Sequence, residues 1–315
     1  MGLRLFDTRR LVLLRELHYR GTMAAVAEVS HLTASAVSQS LAELEREAGV
    51  AILRPMGRRV VLTDAGISLL PHIDAIIGEM ESAHATLERG GGSVVGEVAI
   101  ASIETAAVTI LPKVLQEMRA IFPQVTITTV QSETAPALAA VRLGQVDIAL
   151  CAEYDHVPAP RQTGVIRIPL ADESMIVALP IGHPLSGPER GLSLRDLADE
   201  VWGAGATGGH AAFVTRMCEL HGGFTPNILH RADDLVVLRA LVAAGMATTL
   251  LPDLLLPLDH ASVVPLHFAE ANPMRRLFMA TRPVTQLSLS VQRVMDSVRH
   301  QTAHLVAAVR GEAGG

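Results

Sequence analysis

The 315-residue sequence predicts a multidomain protein in which an all-α N-terminal unit is followed by a larger α/β region. Three observations support this prediction. Apolar residues recur at helical spacing over the first 50 residues, strand-like and helical stretches alternate from residue 98 onward, and a glycine run at residues 90–92 separates the two patterns. Hydrophobic residues make up 49% of the chain, which is enough to form the cores of about two domains.

Three short helices are predicted at the N-terminus. An apolar stripe that includes Leu14 and Leu17 marks the first helix, which is expected to end at Gly21. Thr22 and Thr33 are suited to begin the next two helices, because a threonine hydroxyl accepts a hydrogen bond from the first helical turn. The second and third helices are separated by only a few residues, and this arrangement predicts a helix-turn-helix.

A short β-hairpin and a long helix are predicted next. Residues 52–53 and 58–62 are strand-like and flank a turn at 55–57, which predicts a wing beside the helix-turn-helix. Thr63 is suited to begin the long helix, whose apolar residues alternate at spacings of four and three. This pattern predicts a coiled-coil linker that dimerises, with packing onto its own domain as the alternative. The seam residues are Leu69, Ile73, Ile76, Met80, Ala83 and Leu87.

Strands and helices alternate beyond the glycine run, which predicts a parallel, doubly wound sheet. The predicted strands are 98–101, 125–130, 146–150, 174–179, 248–251 and 277–281. The predicted helices are 107–121, 136–143, 194–198, 211–221, 235–244 and 289–309.

Charge and cysteine content exclude several classes of protein. Residues 1–66 carry nine arginines and seven acidic residues, a formal charge of +2, whereas the rest of the chain carries −8, so the N-terminal end is the candidate for phosphate contacts. Cys151 and Cys218 are the only cysteines, which excludes a disulfide-stapled scaffold and any CxxC site. With no signal-peptide pattern and no run of 18 uncharged apolar residues, we expect a cytoplasmic protein without a membrane partner.

An ordered set of motifs in residues 5–66 resembles the LysR-type transcriptional regulators. The residues that carry the resemblance are Gly21-Thr22-Met23, His31 to Leu41, Leu44 to Gly49, Leu53-Arg54, Gly57-Arg58-Arg59 and Leu62 to Gly66. The rest of the chain has the length and α/β pattern of that family's effector-binding region, which is similar to periplasmic binding proteins. The chain departs from the family at Ala34, often glutamine there, and at Ile52-Leu53 in place of Leu-Phe.

The resemblance implies three domains. A winged helix-turn-helix DNA-binding domain is expected at residues 1–62, a linker and dimerisation helix with a hinge at 63–91, and an effector-binding domain at 92–310. Subdomain I of the effector-binding domain is expected at about 96–168 and 266–310, and subdomain II at about 169–265.

The same resemblance implies which residues contact DNA. The N-terminal half of a recognition helix faces the major groove, and here it offers Thr33, Ser35, Ser38 and Gln39. The Gln39 amide is suited to pair with adenine in two hydrogen bonds, worth about 1–3 kcal/mol of discrimination. Arginines around the wing are suited to phosphates and to a narrow minor groove. These wing residues are Arg54, Arg58 and Arg59.

An effector cleft between the two subdomains is also implied. Its expected lining is Ser102, Ile103, Glu104, Thr105, Thr207, Gly208, Gly209 and His210, with Thr128 and Glu153 as further strand-end candidates. Backbone N–H groups at 207–210 are suited to receive an anionic group of the effector. A second hypothesis has Glu104 and Glu153 compensate a cationic ligand, and its alternative is that both acids are exposed loop residues. Of the thirteen histidines, only His210 is expected to contact a ligand, and no close histidine pair at helical spacing is expected.

The sequence therefore predicts a transcriptional regulator, without cofactor, metal or enzymatic activity, that binds a double-stranded DNA operator as a homodimer or a dimer of dimers. A small-molecule effector would shift the placement of the subunits. Two alternatives remain. The run 203–208 has the GxGxxG pattern of a dinucleotide site and keeps an NAD-dependent enzyme open, although a clear strand and a suitably spaced acid are lacking. A solute-binding module would have the same α/β region, but it would need export.

Overall fold

The computed structural model describes residues 5–57, 59–90, 94–186, 192–258, 263–268, 272–283 and 287–310. The chain divides into two compact units, Met1–Gly90 and Gly91–Gly315. The predicted hinge residues 91–93 lie outside the described residues. No helix within the described ranges is long and apolar enough to cross a membrane.

The N-terminal unit contains the predicted helix-turn-helix and wing. Its elements are α1 (Thr8–Arg20), α2 (Met23–Val29), α3 (Ala34–Ala48), β1 (Leu53–Met56), β2 (Arg59–Leu62) and α4 (Asp64–Gly90). The predicted caps are confirmed. Gly21 ends α1 with a φ of +73°, where a side chain would be strained. The hydroxyls of Thr22 and Thr33 accept hydrogen bonds from the N–H groups of Ala25 and Ala36 at 3.2 and 3.1 Å.

One apolar core holds this unit together and includes the first half of α4. Leu14, Leu41 and Leu44 are fully buried in it, one from α1 and two from α3. Ile73 of α4 is also fully buried there, so this part of the predicted seam packs against its own unit. Ile76, one helical turn on, is 38% exposed. Packing onto its own unit, the alternative prediction, therefore holds at Ile73, whereas dimerisation through the exposed side of α4 stays a prediction.

The second unit contains nine strands and six α-helices in the described ranges. The strands are β3 (Gly96–Ser102), β4 (Val125–Gln131), β5 (Ile148–Tyr154), β6 (Ile166–Pro180), β7 (Val201–Ala204), β8 (Asn227–Arg231), β9 (Thr249–Pro252), β10 (Val263–Leu266) and β11 (Met274–Thr281). The helices are α5 (Glu104–Thr109), α6 (Leu111–Ile121), α7 (Thr134–Arg142), α8 (His210–Met217), α9 (Leu235–Ala243) and α10 (Leu289–Arg310).

The prediction of a parallel sheet is wrong, because the main sheet is mixed. It has seven strands in the order β10-β6-β11-β5-β3-β4, with β9 also paired to β6. Among the described strands of this sheet, the parallel pairs are β3 with β4 and β3 with β5, whereas β11 runs antiparallel to β5 and β6. The chain reaches β6 and β11 without an intervening α-helix, and parallel neighbours need such a crossover. A second, two-stranded sheet pairs β7 with β8 in parallel.

The 15-residue strand β6 pairs with different strands along its length. Its first part, Ile166–Ser174, pairs with β11, and its second part, Met175–Pro180, pairs with β9 and β10. Only 174–179 was predicted from the sequence, and β8 and β10 were not predicted. The missed segments are half exposed or alternate in burial, so they lack the continuous apolar run that identified the other strands.

Two helical predictions are also corrected. The helix predicted over 107–121 is two helices, α5 and α6, separated at Ile110, because Pro112 sits in the first turn of α6 and cannot occupy a helix interior. The expectation of no close histidine pair is wrong, since His300 and His304 lie one turn apart on α10 with their Nε2 atoms 3.0 Å apart. No cluster of three or more candidate metal ligands occurs in the part of the chain that the structure describes.

Candidate DNA-binding surface and effector cavity

Helix α3 presents a polar face opposite its buried face. Val37, Leu41 and Leu44 are fully buried, whereas the predicted contact residues lie on the exposed side. These exposed residues are Thr33, Ser35, Ser38 and Gln39. The Thr33 hydroxyl already caps the helix, so it holds the first turn in place while the other three side chains remain free to contact a ligand. The arrangement fits a recognition helix.

The Glu45 carboxylate connects the wing to α3, and the sequence did not predict this contact. Oε1 of Glu45 accepts hydrogen bonds from the N–H groups of Ile52 and Leu53, each at 2.9 Å. These bonds fix the first strand of the hairpin relative to the recognition helix. The predicted residues Arg54 and Arg59 are exposed on the two strands, and Arg58 lies outside the described residues.

Gly66 allows the hairpin and α4 to approach each other closely. A Cβ atom at this position would overlap the backbone carbonyl oxygen of Ile52. The hydroxyl of Thr63 donates to the carbonyl oxygen of Ala51 at 2.8 Å and accepts from the N–H of Gly66 at 3.2 Å. The motif that ends at Gly66 therefore anchors the wing to the linker helix.

A cavity of about 500 Å³ lies in the second unit at the ends of several strands. Seven of the ten predicted effector residues line it: Ile103, Glu104, Thr105, Thr207, Gly208, Gly209 and His210. Further lining comes from residues that the sequence analysis did not include, among them Glu133, Tyr154, Asp233 and Arg275.

The other three predicted residues do not line the cavity. Ser102 is buried, and Thr128 is exposed on β4. Glu153 lies between Ala152 and Tyr154, which do line the cavity, and successive side chains of a strand point to opposite faces. The Glu153 carboxylate instead forms an ion pair with Arg167 at 3.3 Å. The structure therefore does not bring Glu153 together with Glu104.

Glu104 is a buried carboxylate that caps a distant helix. It accepts hydrogen bonds from the backbone N–H groups of Leu235 and Val236, the latter at 2.8 Å, at the start of α9. The positive end of the helix dipole favours a carboxylate at this position. Burial nevertheless raises the pKa of Glu104 to about 7, and the nearby carboxylate of Asp234 contributes to the increase. The alternative that Glu104 is an exposed loop residue is wrong.

The loop before α8 is held in place by hydrogen bonds to the side chain of Asp233. The carboxylate of Asp233 accepts from the N–H of Thr207 at 2.6 Å and from its hydroxyl at 2.7 Å. The next residue, Asp234, caps α9, so the two neighbouring acids have different roles. An N–H group expected to receive an anionic group of the effector is thus occupied by a carboxylate of the protein.

His210 supports the cavity wall and is neutral. Its Nδ1 accepts from the N–H of Gly205 at 3.1 Å, so its Nε2 carries the proton and donates to the carbonyl oxygen of Leu250 at 2.9 Å. Burial lowers the pKa of His210 to about 4. Both ring nitrogens are engaged within the protein, so His210 shapes the cavity without contributing a charge.

Glu133 is the cavity acid that lacks a hydrogen-bond donor among the described residues. It immediately precedes α7, and no hydrogen bond to its carboxylate is found among the described residues. Its Oε2 faces the loop before α8 so closely that a Cβ atom on Gly208 would lie 2.5 Å away. Burial raises the pKa of Glu133, repulsion by the Asp233 carboxylate adds to the increase, and the positive charge of Arg275 opposes it. Its place after β4 matches that of Glu104 after β3, and this strand-end position is the signal that could have identified it.

Arg275 is a buried guanidinium whose donors are used inside the protein. It forms an ion pair with Glu173, donates to the Thr105 hydroxyl at 2.7 Å and lies 3.5 Å from the Tyr154 hydroxyl. Both Arg275 and Glu173 have almost no solvent exposure. Because the ion pair is internal, Arg275 adds little net positive charge to the cavity.

The glycine run 203–208 does not have the arrangement of a dinucleotide site. Its first glycine, Gly203, lies inside β7 rather than after the strand, where the phosphate-binding turn begins. The N–H groups of Gly205 and Thr207 are bonded to side chains of this chain. These contacts build one wall of the cavity.

Comparison with known proteins decides the family. Residues 8–67 match the model described as "Bacterial regulatory helix-turn-helix protein, lysR family", and residues 91–303 match the "LysR substrate binding domain". The chain belongs to the LysR family. It is therefore a LysR-type transcriptional regulator, as the motifs in residues 5–66 predicted, and its cavity lies in the matched effector-binding region.

Several relatives of this LysR-type regulator are described by their response to peroxide. A probable hydrogen peroxide-inducible genes activator of Mycobacterium leprae is 30% identical over 294 residues, which cover 87% of this chain and 88% of the relative. A full-length OxyR variant from Pseudomonas aeruginosa shares the fold, with a TM-score of 0.68, 19% identity and 95% coverage of both chains. CbnR in complex with its target DNA shares it with a TM-score of 0.53 and 20% identity, covering 94% of this chain and all of CbnR.

The two cysteines of this LysR-type regulator are both buried. Cys151 is 1% exposed on β5, Cys218 is fully buried after α8, and neither lines the cavity. Burial raises the pKa of each thiol to about 12. Because the thiolate is the form that reacts with peroxide, neither cysteine has the environment of a reactive thiol.

Proposed function

We propose that this chain is a cytoplasmic, effector-controlled regulator that binds a double-stranded DNA operator and has neither enzymatic activity nor a cofactor. The polar, exposed face of α3 carries the proposal, because Ser35, Ser38 and Gln39 project from a helix whose other face is fully buried. Gln39 reads a base edge, while Arg54, Arg58 and Arg59 bind phosphates or the minor groove.

Two copies of the chain associate through the exposed side of α4 in this proposal. Ile76 and Met80 are 38% and 45% exposed on this side, and Ala83 continues the same stripe. An apolar stripe on a long helix is buried by a second helix with the same stripe. Dimerisation also places two recognition helices on one operator, as interrupted palindromic sites require.

The effector binds in the 500 Å³ cavity and acts by favouring one arrangement of the regulator over another. Subdomain I, at about 96–168 and 266–310, and subdomain II, at about 169–265, contribute its opposite walls. The acids at Glu104 and Glu133 come from the first subdomain, and Thr207 to His210 come from the second. A cavity lined by both subdomains is suited to couple ligand binding to their relative placement.

A peroxide response is the second candidate, because relatives carry that description. The burial of Cys151 and Cys218 supports a bound ligand instead of thiol oxidation as the controlling event. Replacing both cysteines with alanine tests the point directly. We expect the double variant to bind operator DNA as the wild-type protein does, with and without hydrogen peroxide. If peroxide changed DNA binding by the wild-type protein but not by the variant, the second candidate would be favoured.

Selection of genomic fragments by the purified full-length protein at several salt concentrations tests the proposed function. We expect enrichment of a small set of interrupted palindromes, with affinity that falls as salt increases. Gln39→Ala should relax the sequence preference, whereas the matched change Gln116→Ala, on an exposed position of α6, should leave it intact. Equal recovery of all fragments by the wild-type protein would contradict sequence-specific binding.

A further inference from the structure

The charged groups that line the cavity include more carboxylates than cations. Three carboxylates line it, from Glu104, Glu133 and Asp233, and the guanidinium of Arg275 is the cation in the described lining. That guanidinium is already paired with Glu173, outside the lining. With His210 neutral, the cavity carries a net negative charge when the carboxylates are ionised. An anionic ligand would be repelled there, because charges interact more strongly where water is excluded.

The three carboxylates differ in the hydrogen bonds that they receive from the protein. Glu104 receives two backbone hydrogen bonds from the start of α9, and Asp233 receives two from Thr207. Glu133 receives none from the described residues, although it is partly buried and faces both the cavity and Gly208. A partly buried carboxylate without a donor is costly, and a ligand that supplies a charged donor removes this cost.

Much of the remaining lining is apolar. Val157, Pro158 and Ala159 form a continuous segment of the wall, and Ile103 and Leu235 add further apolar surface. Ligand pockets commonly combine such walls with a few polar groups that fix orientation. The cavity is thus suited to a ligand with an apolar body and one charged end.

We propose that the effector is a small organic amine whose protonated ammonium group binds the Glu133 carboxylate and whose apolar part packs against the wall around Val157, Pro158 and Ala159. This inference rests on the proposed function of the cavity as the effector site. It replaces the earlier pairing of Glu104 with Glu153 by a carboxylate that does line the cavity. The Tyr154 ring, which also lines the cavity, offers an additional apolar surface to the ligand.

The same geometry explains how an amine would act on the regulator. Glu133 follows β4, Asp233 precedes α9, and their like charges repel each other across the loop before α8. An ammonium ion near Glu133 reduces this repulsion and favours the arrangement in which the two loops are close. The amine therefore binds one arrangement more tightly than the other, which is the condition for a ligand to shift an equilibrium.

Calorimetric titration of the full-length protein with three matched probes tests the proposal. The probes are 2-phenylethylamine, 3-phenylpropionate and 2-phenylethanol, which share an apolar body and differ in the charge of the end group. At about pH 8, where the carboxylates are ionised, we expect the amine to bind at least about tenfold more tightly than either other probe. Equal or tighter binding of the carboxylate or the alcohol, or no preference among the three, would overturn the proposal.

Variants separate the role of Glu133 from a general loss of structure. Glu133→Gln, which removes only the charge, should weaken amine binding at least about tenfold, whereas Glu133→Asp should retain the preference for the amine. Glu153→Gln is the matched control, because Glu153 lies near the cavity but outside its lining. Thermal unfolding of each variant verifies folding. Unchanged amine affinity in folded Glu133→Gln would overturn the proposal.

DNA binding by the same samples keeps this inference separate from the proposed function. Sequence-specific DNA binding together with a preference for the carboxylate or the alcohol would overturn the ligand class and leave the regulator function intact. A protein that bound no DNA sequence specifically would contradict the proposed function, whatever its preference among the probes.

Discussion

Glu104 accepts a hydrogen bond from the backbone N–H of Val236 at 2.8 Å, although 132 residues separate them. The bond joins the first residue of α5 to the first turn of α9, and it lies at the wall of the cavity. Asp234, the residue immediately before α9, caps the same turn, so two carboxylates lie at one helix N-terminus. Burial raises the pKa of Glu104, and the neighbouring Asp234 carboxylate adds to the increase.

Stability should respond to pH through Glu104. Its folded-state pKa, about 7, is above the ordinary value of 4.5, so the folded protein holds the proton more tightly than the unfolded chain. The resulting stabilisation is complete below pH 4.5 and is lost as the pH rises to about 7, and its size is about 3 kcal/mol. Measured against Glu104→Gln, the wild-type free energy of unfolding should therefore fall over this range. A difference that is constant with pH would contradict the prediction.

Gly66→Ala should displace the wing. The added methyl group overlaps the carbonyl oxygen of Ile52, and such overpacking costs about 1–3 kcal/mol. We expect a lower melting temperature and weaker operator binding, measured by thermal unfolding and fluorescence anisotropy. Ala65→Ser, at the exposed neighbouring position, is the control and should change neither quantity.

Substitutions at Gln39 and Arg59 should have different effects on DNA binding. Gln39→Ala should lose about 1–3 kcal/mol at one operator position and relax the preference there. Arg59→Ala should weaken binding to all sequences by a similar factor and reduce the salt slope by about one. Binding isotherms on the operator and on its single-base variants, at several salt concentrations, distinguish the two. A uniform loss from Gln39→Ala would exclude base reading by that side chain.

His210→Phe should destabilise the second unit. The change leaves the N–H of Gly205 and the carbonyl oxygen of Leu250 without their imidazole partner, at about 1–3 kcal/mol for each buried group. Since burial lowers the pKa of His210 to about 4, the unfolded chain binds the proton more tightly, and wild-type stability falls as the pH drops from 6.5 towards 4. The cost of the substitution should therefore shrink in acid, as urea unfolding at a series of pH values would show.

Neither cysteine should react in the folded protein. Cys151 and Cys218 are buried and their pKa values are raised to about 12, so the thiolate is scarce at neutral pH. With an aromatic disulfide reagent, we expect negligible labelling under native conditions and two thiols per chain in denaturant. Rapid labelling of one thiol before unfolding would identify a reactive cysteine.

Local signals explain why the N-terminal unit was predicted well. Gly21, Thr22 and Thr33 act within a few residues of their own position, so the sequence is sufficient to place the ends of these helices. The break between α5 and α6 also has a local cause, Pro112, although the prediction of one helix over 107–121 overlooked it. The direction of β11 is different, since it depends on pairing with β5, more than a hundred residues earlier in the chain.

The cavity was predicted only in part for a related reason. Glu133 and Glu153 both lie at strand ends, yet only Glu133 lines the cavity. Strand side chains alternate between faces, so an error of one residue in the register exchanges the two sides of a sheet. Arg275 was missed because a buried arginine becomes interpretable only when its partners, Glu173 and Thr105, are known.

The sequence by itself determined the family, the recognition helix with Gln39 on its polar side, and seven of the lining residues of the cavity. These features depend on motifs and periodicities that are contained in short segments. The tertiary structure alone decided that the sheet is mixed, that Glu104 caps α9, that Asp233 braces the loop at Thr207 and that Glu133 has no described partner. Each of these depends on contacts between distant segments, because the charge and hydrogen bonding of a buried group are set by neighbours that folding brings together.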